Sequence, residues 1–337
     1  GAAFLPHRAE SASLPGRFPR KLLTMKGKRM RVHSRRSFLK RALMLAPAAL
    51  PLFPATAEAS PQSTELEGVS DLHVHLEPDI RPRSDNALNY VRLCRQAKMR
   101  SVLLKSHIFP TFDLTYLIRQ SVDFEVFGGL CLNRQYGIRA GVEAVRAALQ
   151  CSGQYLRCVW LPTLDAVHQR GRGGIPVLDA YGRVLPEIVS IMELCAQEDI
   201  MLASGHSSPE ESLILARKAR ETGLTKFVVT HANTAGWTHS ADQVKRCLDA
   251  AAWMEYGYGW EFLRNGQDAS RPCDRLVNYI RLAPERSFVM TDMGSPSLPH
   301  PLTGMRLCVR NLRESGLSPA HLSLVLKENP AALMKLS

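Results

Sequence analysis

The chain has 337 residues, of which 45% are hydrophobic, and a formal net charge of +12. Most of that charge lies in residues 1–45, which contain 12 lysines and arginines and a single acid, whereas residues 60–337 carry a net charge of only +2. This nearly neutral majority of the chain argues against a nucleic-acid-binding surface, and its length suits one α/β barrel of about 250 residues.

The first 59 residues have the order of an export signal. Residues 34–40, SRRSFLK, match the twin-arginine motif, residues 42–53 are largely apolar, and small residues typical of a cleavage site follow at 55–59. The apolar stretch is about a dozen residues long and contains two prolines, so it is too short and irregular to span about 30 Å of hydrocarbon. We therefore predict a cleaved or disordered leader over residues 1–59, export to the periplasm by the twin-arginine route, and only transient contact with a membrane.

From Val69 onward, short apolar runs alternate with amphipathic stretches, which indicates alternating strands and helices. The predicted strands are Val69–His75, Ser101–His107, Phe124–Leu132, Tyr155–Leu161, Ile200–Ser204, Lys226–Thr230, Ala252–Tyr256 and Ser287–Thr291. The predicted helices are Asn86–Ala97, Leu114–Gln120, Ala140–Gln150, Leu185–Gln197, Pro209–Thr222, Ala241–Ala251, Cys273–Leu282 and Thr303–Glu314. A further helix, Ala320–Glu328, is predicted to end before Asn329 and Pro330, and the stretch Gln169–Gly182 is predicted to be a surface loop.

Eight strand–helix units in alternation predict parallel strands that are joined by right-handed crossovers. Eight successive units of similar length favour a closed barrel over an open doubly wound sheet. We therefore predict that residues 60–337 form a single (β/α)8 TIM barrel domain.

Histidines and charged residues stand at the C-terminal ends of the predicted strands. His73 and His75 end the first strand two residues apart, so both side chains point to one side of the strand and can bind one metal ion. The other strand-end residues of this kind are Lys105 and His107 on the second strand, His206 on the fifth, His231 on the sixth and Asp292 on the eighth. Because the C-terminal ends of barrel strands converge on one small volume, these residues predict a metal site there.

The order of these motifs resembles the amidohydrolase superfamily from Val69 to the end of the chain, and it is most similar to a family of predicted metal-dependent hydrolases, DUF6282. The motifs that carry the resemblance are Asp71–His75, Leu104–His107, Phe127–Asn133, Val159–Thr163, Ser204–His206, Thr230–His231, Glu255, Thr291–Gly294 and Glu328–Ala331. The resemblance implies a barrel of the metal-dependent hydrolase type. Its motifs are specific for the fold and the metal site, but not for a substrate.

One departure from the superfamily concerns the fourth strand. Many members bridge two metal ions with a carboxylated lysine or a glutamate at its end, but here the strand ends in Trp160–Thr163, WLPT. Lys105 is the one lysine at a predicted strand end. Either it takes the bridging role, since a lysine buried beside a cation loses its proton and can be carboxylated, or it stays an ammonium that binds an anionic substrate. His107 could complete a second metal site.

The resemblance and the strand-end residues together imply a hydrolytic site. The expected ligands of one or two divalent ions, of which Zn²⁺ best suits an imidazole-rich set, are His73, His75, Lys105, His107, His206, His231 and Asp292. The metal is expected to produce hydroxide at neutral pH, and Asp292 to accept the proton and return it to the leaving group. Candidate substrate contacts are Lys105, Asn133, Glu255 and Tyr258. Glu255 equally fits a structural salt bridge, and simple packing is the favoured interpretation of Tyr258.

The leading functional hypothesis is hydrolysis of a C–O or C–N bond in a small carbonyl compound such as a lactone, an amide or a cyclic imide. Phosphoester hydrolysis is a second enzymatic hypothesis, and an exported binding protein that keeps its metal only for stability is a third. The nearly neutral charge of residues 60–337 weighs against a nucleic-acid substrate. The sequence identifies no subunit interface, so it leaves a homo-oligomer open.

Overall fold

The computed structural model describes residues 65–151, 154–268 and 270–336. Its parallel strands form one eight-stranded sheet in the order of the chain. The strands are β1 Ser70–Val74, β2 Ser101–Leu104, β3 Glu125–Cys131, β4 Leu156–Trp160, β5 Met201–Ala203, β6 Phe227–Val229, β7 Trp253–Gly257 and β8 Ser287–Met290. Each predicted strand is therefore confirmed. The predicted leader, residues 1–59, lies outside the described residues.

Hydrogen bonds between the first and last strands bring the sheet close to a closed barrel. The Asp292 backbone N–H donates to His73 O and the His75 N–H donates to Met293 O, both at 2.9 Å. The Asp71 carboxylate accepts from the Thr291 N–H at 3.0 Å and from the Thr291 hydroxyl at 2.6 Å. The predicted barrel is thus confirmed, and its closure joins two chain segments that are 220 residues apart.

Helices follow the strands around the outside of the barrel. They are α1 Ala87–Gln96, α2 Phe112–Arg119, α3 Arg139–Leu149, α4 Val167–Arg170, α5 Pro186–Gln197, α6 Pro209–Glu221, α7 Ala241–Asp249, α8 Tyr258–Arg264, α9 Asp274–Leu282, α10 Pro301–Glu314, α11 Pro319–Ser323 and α12 Asn329–Met334. The eight predicted helices are confirmed, whereas α4 and α8 were not predicted. α4 is a single turn at the start of the Gly- and Arg-rich loop, and α8 begins directly where β7 ends, so no turn residues mark its start.

The predicted helix end before Asn329 and Pro330 is wrong. A π-helical turn, Leu324–Glu328, links α11 to α12, and the chain continues as a helix through Pro330. The wider turn accommodates the proline ring, which in a regular α-helix clashes with the carbonyl four residues earlier. The Asn329 side chain donates to Ser287 O at 2.7 Å, which ties this helix to the start of β8.

The core has two layers. The larger layer packs the helices against the outer face of the strands. Alternate residues of the strands, such as Leu103, Phe127 and Met201, form the smaller cluster inside the barrel, and Leu333 and Met334 of α12 join it. With its interior filled by apolar side chains, the barrel leaves the C-terminal strand ends for polar residues. Among the described residues, no helix combines the length and apolar character needed to cross a bilayer.

Candidate metal centre

Two overlapping groups of histidines and carboxylates lie at the C-terminal ends of β1, β6, β7 and β8. One group consists of His73, His75 and Asp292, and the other of His73, His231 and Glu255. Within each group the ligand atoms lie within 4.8 Å of one another. We call these five residues the buried cluster, because all five side chains are less than 10% exposed.

The first group has the spacing of atoms that share one ion. His73 Nε2 lies 3.1 Å and His75 Nε2 lies 3.3 Å from the same oxygen, Asp292 Oδ1. Two ligand atoms that each lie about 2.1 Å from one ion, at angles of about 90–110°, are separated by about 3.0–3.4 Å. The donor set of two imidazoles and a carboxylate therefore fits a divalent ion in both chemistry and distance.

The second group supplies a polar atom that lacks a partner. His73 Nδ1 lies 3.2 Å from Glu255 Oε1, a contact that orients the His73 ring. His231 Nδ1 is buried and has no hydrogen-bond partner among the described residues, and it lies 3.5 Å from Asp292 Oδ2 and 3.7 Å from Glu255 Oε1. Because a buried nitrogen without a partner costs about 1–3 kcal/mol, its position among carboxylates indicates a place for a bound cation.

The backbone of the strand ends aims these side chains. Between Asp71 and Val74, β1 has one more residue than the facing part of β2, as in a β-bulge, and this irregularity lies beside His73. His231 and Asp292 both adopt positive φ, 56° and 50°, which is uncommon for residues other than glycine. Such strain persists only where the surrounding structure holds it, and it is concentrated at functional sites.

Burial keeps most of these imidazoles neutral, which is the form that binds metals. It lowers the pKa of His75 to about 4 and lowers that of His231 well below its usual range. Burial and the charge of Lys105 also act to lower the pKa of His73, but the two neighbouring carboxylates outweigh them and raise it. Burial would raise the pKa of Asp292, yet the charges of the histidines and their hydrogen bonds hold it well below the ordinary value.

Lys105 lies at the edge of the buried cluster. Its Nζ is 2.9 Å from His73 Nε2 and 5.3 Å from the centre of the Trp160 ring, and only 1% of the residue is exposed. Trp160 is the last residue of β4. Lys105 does not line the cavity that leads to the cluster. Its position therefore favours an interaction with His73 over direct contact with a substrate.

His107 and His206 lie at the same mouth of the barrel, but their side chains bond to residues at and after the end of β4 and not to the carboxylates of the cluster. We call these two histidines the loop-bonded pair. His107 Nδ1 lies 2.9 Å from the Thr163 hydroxyl, and His206 Nδ1 makes a hydrogen bond with the Gln169 side chain. The His107 ring also stacks on His75, with 4.8 Å between the ring centres. In the part of the chain that the structure describes, neither histidine joins a candidate metal group, so their role as ligands stays a prediction.

Two of the predicted substrate contacts, Asn133 and Tyr258, make hydrogen bonds within the protein. The Asn133 amide donates to His107 O and to the Thr163 hydroxyl, both at 2.7 Å, and its oxygen accepts from the N–H groups of Thr163 and Asp165. These four bonds leave it no free polar atom, so it holds the ends of two loops instead. The Tyr258 hydroxyl accepts from Asn311 within the core, which agrees with simple packing.

An open cavity of about 310 Å³ leads from the surface to the cluster. Its polar floor contains His75, His107, His206, His231 and Asp292, and its apolar walls contain Leu164, Trp237, Trp260, Leu263 and Leu298. The Trp260 indole N–H donates to Asp292 Oδ2 at 2.6 Å. Sequence reasoning missed both tryptophans, because each lies in a connection after a strand and belongs to no motif. A larger groove of about 730 Å³ on the outer face of α5 and α6 contains none of these residues.

Solved structures of hydrolases share the fold. An amidohydrolase from Pseudomonas aeruginosa has 10% identity and a TM-score of 0.56, with 80% of this chain and 96% of that chain covered. An organophosphorus hydrolase from Deinococcus radiodurans has 12% identity and a TM-score of 0.54, with coverages of 81% and 93%. A lactonase from Listeria monocytogenes has 10% identity and a TM-score of 0.53, with coverages of 81% and 96%. At this level of identity the likeness concerns the barrel itself.

Sequence comparison identifies the family. No curated protein matches the chain. The model of the family of unknown function DUF6282 matches residues 68–255, which include the histidines of β1 and β6 and Glu255 of the buried cluster. Since this match spans more than half of the 337 residues, the chain belongs to the DUF6282 family.

Proposed function

We propose that the protein is a metal-dependent hydrolase that cleaves a C–O or C–N bond in a small carbonyl compound, such as a lactone, an amide or a cyclic imide. The observation that carries this proposal is the convergence of His73 Nε2 and His75 Nε2 on Asp292 Oδ1, at 3.1 and 3.3 Å, beneath an open cavity. The amidohydrolase and the lactonase that share the barrel support the choice of reaction.

The residues of the buried cluster divide into ligands and orienting groups. His73, His75 and His231 would hold the ion together with Asp292, and the imidazole-rich set favours Zn²⁺. Glu255 orients His73 through Nδ1 and thereby sets Nε2 as the binding atom. When bound, the ion supplies an acidified water and polarises the carbonyl oxygen of the substrate.

Asp292 is positioned to move the proton. Its Oδ1 faces the β1 histidines, while its Oδ2 faces Trp260 and His231 beside the cavity. Its lowered pKa keeps it ionised, so it accepts the proton of the attacking water and returns it to the leaving alcohol or amine. The apolar walls of Trp237, Trp260 and Leu263 limit the access of bulk water to this step.

The test is metal content joined to activity. Plasma mass spectrometry of the purified protein should find about one or two zinc-like ions per chain, and His73→Ala should lose them. His321→Ala, on α11 outside the cluster, is the matched control and should keep them. Lactones, amides and cyclic imides would then be screened, with phosphotriesters as the alternative substrate class. Bound metal without turnover of any class would favour a binding protein, and the absence of metal after reconstitution would refute the proposal.

We also propose export through the twin-arginine route, on the basis of residues 34–40 and the small residues that follow. Replacement of Arg35 and Arg36 together by lysine should retain the protein in the cytoplasm of a bacterial host. Fractionation would measure this, with Arg31→Lys as the control outside the motif. Unchanged export of the double variant would contradict the proposal.

A further inference from the structure

An arginine at the mouth of the cavity has no ion-pair or hydrogen-bond partner among the residues that the structure describes. Arg81, in the loop between β1 and α1, is exposed and lines the cavity. Among the residues that the structure describes, no carboxylate lies within 4.0 Å of its guanidinium and no hydrogen bond engages its side chain. Within the described part of the chain, Arg81 is thus an unpaired positive charge on the cavity that leads to the buried cluster.

The loop that presents Arg81 is held in place on both sides. Two residues before it, Asp79 has a fully buried side chain, and two residues after it, Arg83 donates to Asp79 Oδ2 through Nε at 2.8 Å and Nη2 at 2.6 Å. The Ser84 N–H also donates to Gly294 O at 2.8 Å, which links the loop to the segment after β8. The fixed loop therefore presents Arg81 at a defined place, while Arg83 is already neutralised.

The rest of the cavity offers little to balance that charge. Among its described lining residues, Asp292 is the one acid, and its two oxygens face the histidines and Trp260. The walls beside Asp292 are the apolar side chains of Leu164, Trp237, Trp260, Leu263 and Leu298. A ligand that fits this cavity has an apolar body and an anionic end.

We propose that the substrate of this site is a small organic acid whose carboxylate pairs with Arg81. This inference rests on the proposed hydrolytic function, because it assigns the substrate's reacting carbonyl to the floor near Asp292. The apolar body lies between Trp237 and Trp260, and the carboxylate projects toward the mouth. A single planar guanidinium binds a carboxylate through two parallel hydrogen bonds, whereas a doubly charged phosphate would need further donors.

Binding of a probe pair tests the anion site without turnover. Phenylacetate and phenylacetamide have nearly the same shape and differ in charge, and calorimetry or tryptophan fluorescence would measure their affinities for the purified protein. Phenylacetate should bind about 5- to 10-fold more tightly. Arg81→Gln should abolish this preference, and Arg81→Lys should keep part of it. Arg95→Gln, which removes an exposed arginine of α1 outside the cavity, should leave it intact.

Equal binding of the two probes by the wild-type protein would overturn the proposal. So would a preference that survives in Arg81→Gln, because the carboxylate would then bind elsewhere, for example at the metal. Turnover supplies a separate result: a γ-butyrolactone with a ring carboxylate should be hydrolysed faster than the same lactone with a carboxamide, and Arg81→Gln should remove the difference. If neither lactone nor any other carbonyl compound is hydrolysed, the hydrolase proposal fails, while the probe pair still decides on the anion site.

Discussion

Two sets of histidines share the mouth of this barrel, and they differ in what they contact. In the buried cluster, His73, His75 and His231 turn their nitrogens toward Asp292 and Glu255 over distances of 3.1–3.7 Å. In the loop-bonded pair, each histidine instead binds a polar side chain near the end of β4 or in the loop that follows it. A position at a strand end brings a histidine to the site, but the neighbouring strands decide whether it meets other ligands.

The reason for the difference lies in the closure of the barrel. The bonds from Asp292 N to His73 O and from His75 N to Met293 O fix the β8 carboxylate against the β1 histidines. The β4 end supplies Trp160 and Thr163 in place of an acid, so His107 finds a hydroxyl there.

Asp292→Asn should have the largest effect on catalysis. The amide keeps the shape of the side chain but cannot accept the proton, so kcat/KM should fall by about 10²–10⁴-fold. Metal content should largely persist, because the histidines remain. Asp242→Asn, an exposed acid on α7, is the control. Activity that survives in Asp292→Asn would show that another group carries the proton.

His73→Ala and His206→Ala test the comparison itself. His73 belongs to both candidate groups, so its loss should remove all bound metal. His206 belongs to neither, so His206→Ala should keep at least one ion per chain. Both are measured by plasma mass spectrometry after identical purification. Equal and complete loss of metal from the two variants would mean that the loop-bonded pair is part of the primary site.

Glu255→Gln should weaken metal binding without abolishing it. The substitution removes the negative charge beside His73 Nδ1 and His231, and loss of such an orienting partner typically costs about 10- to 100-fold in metal affinity. Competition with a chelator would measure the change. Glu193→Gln, an exposed acid of α5, should be silent. An unchanged metal affinity in Glu255→Gln would show that Glu255 does not orient the metal ligands.

Trp260→Phe should give the smallest effect. It removes the N–H that bonds Asp292 Oδ2 at 2.6 Å but keeps an aromatic wall, so kcat should fall about 10-fold with little change in KM. Trp253→Phe is a matched control, because its indole N–H also makes one hydrogen bond, to Thr225 O at 3.2 Å outside the cavity. Equal kinetics in the two variants would deny Trp260 a role in positioning Asp292.

Much of the fold could be predicted from the sequence, since apolar runs and amphipathic stretches alternate with a regular spacing from Val69 onward. The same reasoning placed His73, His75, His231 and Asp292 at strand ends, where the structure brings them together. The helical path through Pro330 could not be predicted, because it depends on a π-helical turn that no residue type marks.

The contacts that side chains make between different loops of the site could not be predicted from the sequence. Asn133 looked free to bind a substrate, but its four hydrogen bonds depend on where the β4 loop returns. Trp260 and Arg81 reach the cavity only through the paths of the segments after β7 and β1. Such positions follow from tertiary geometry and carry no periodic signal.

Anomalous diffraction at the zinc edge, from crystals of the metal-loaded protein, tests the central claim most directly. We expect a peak within about 2.0–2.3 Å of His73 Nε2, His75 Nε2 and Asp292 Oδ1. A second peak nearer to His206 would add a second ion and leave the buried cluster as the primary site. A loaded crystal with no peak at His73 and His75, or with a peak only between His107 and His206, would contradict the assignment of the metal centre.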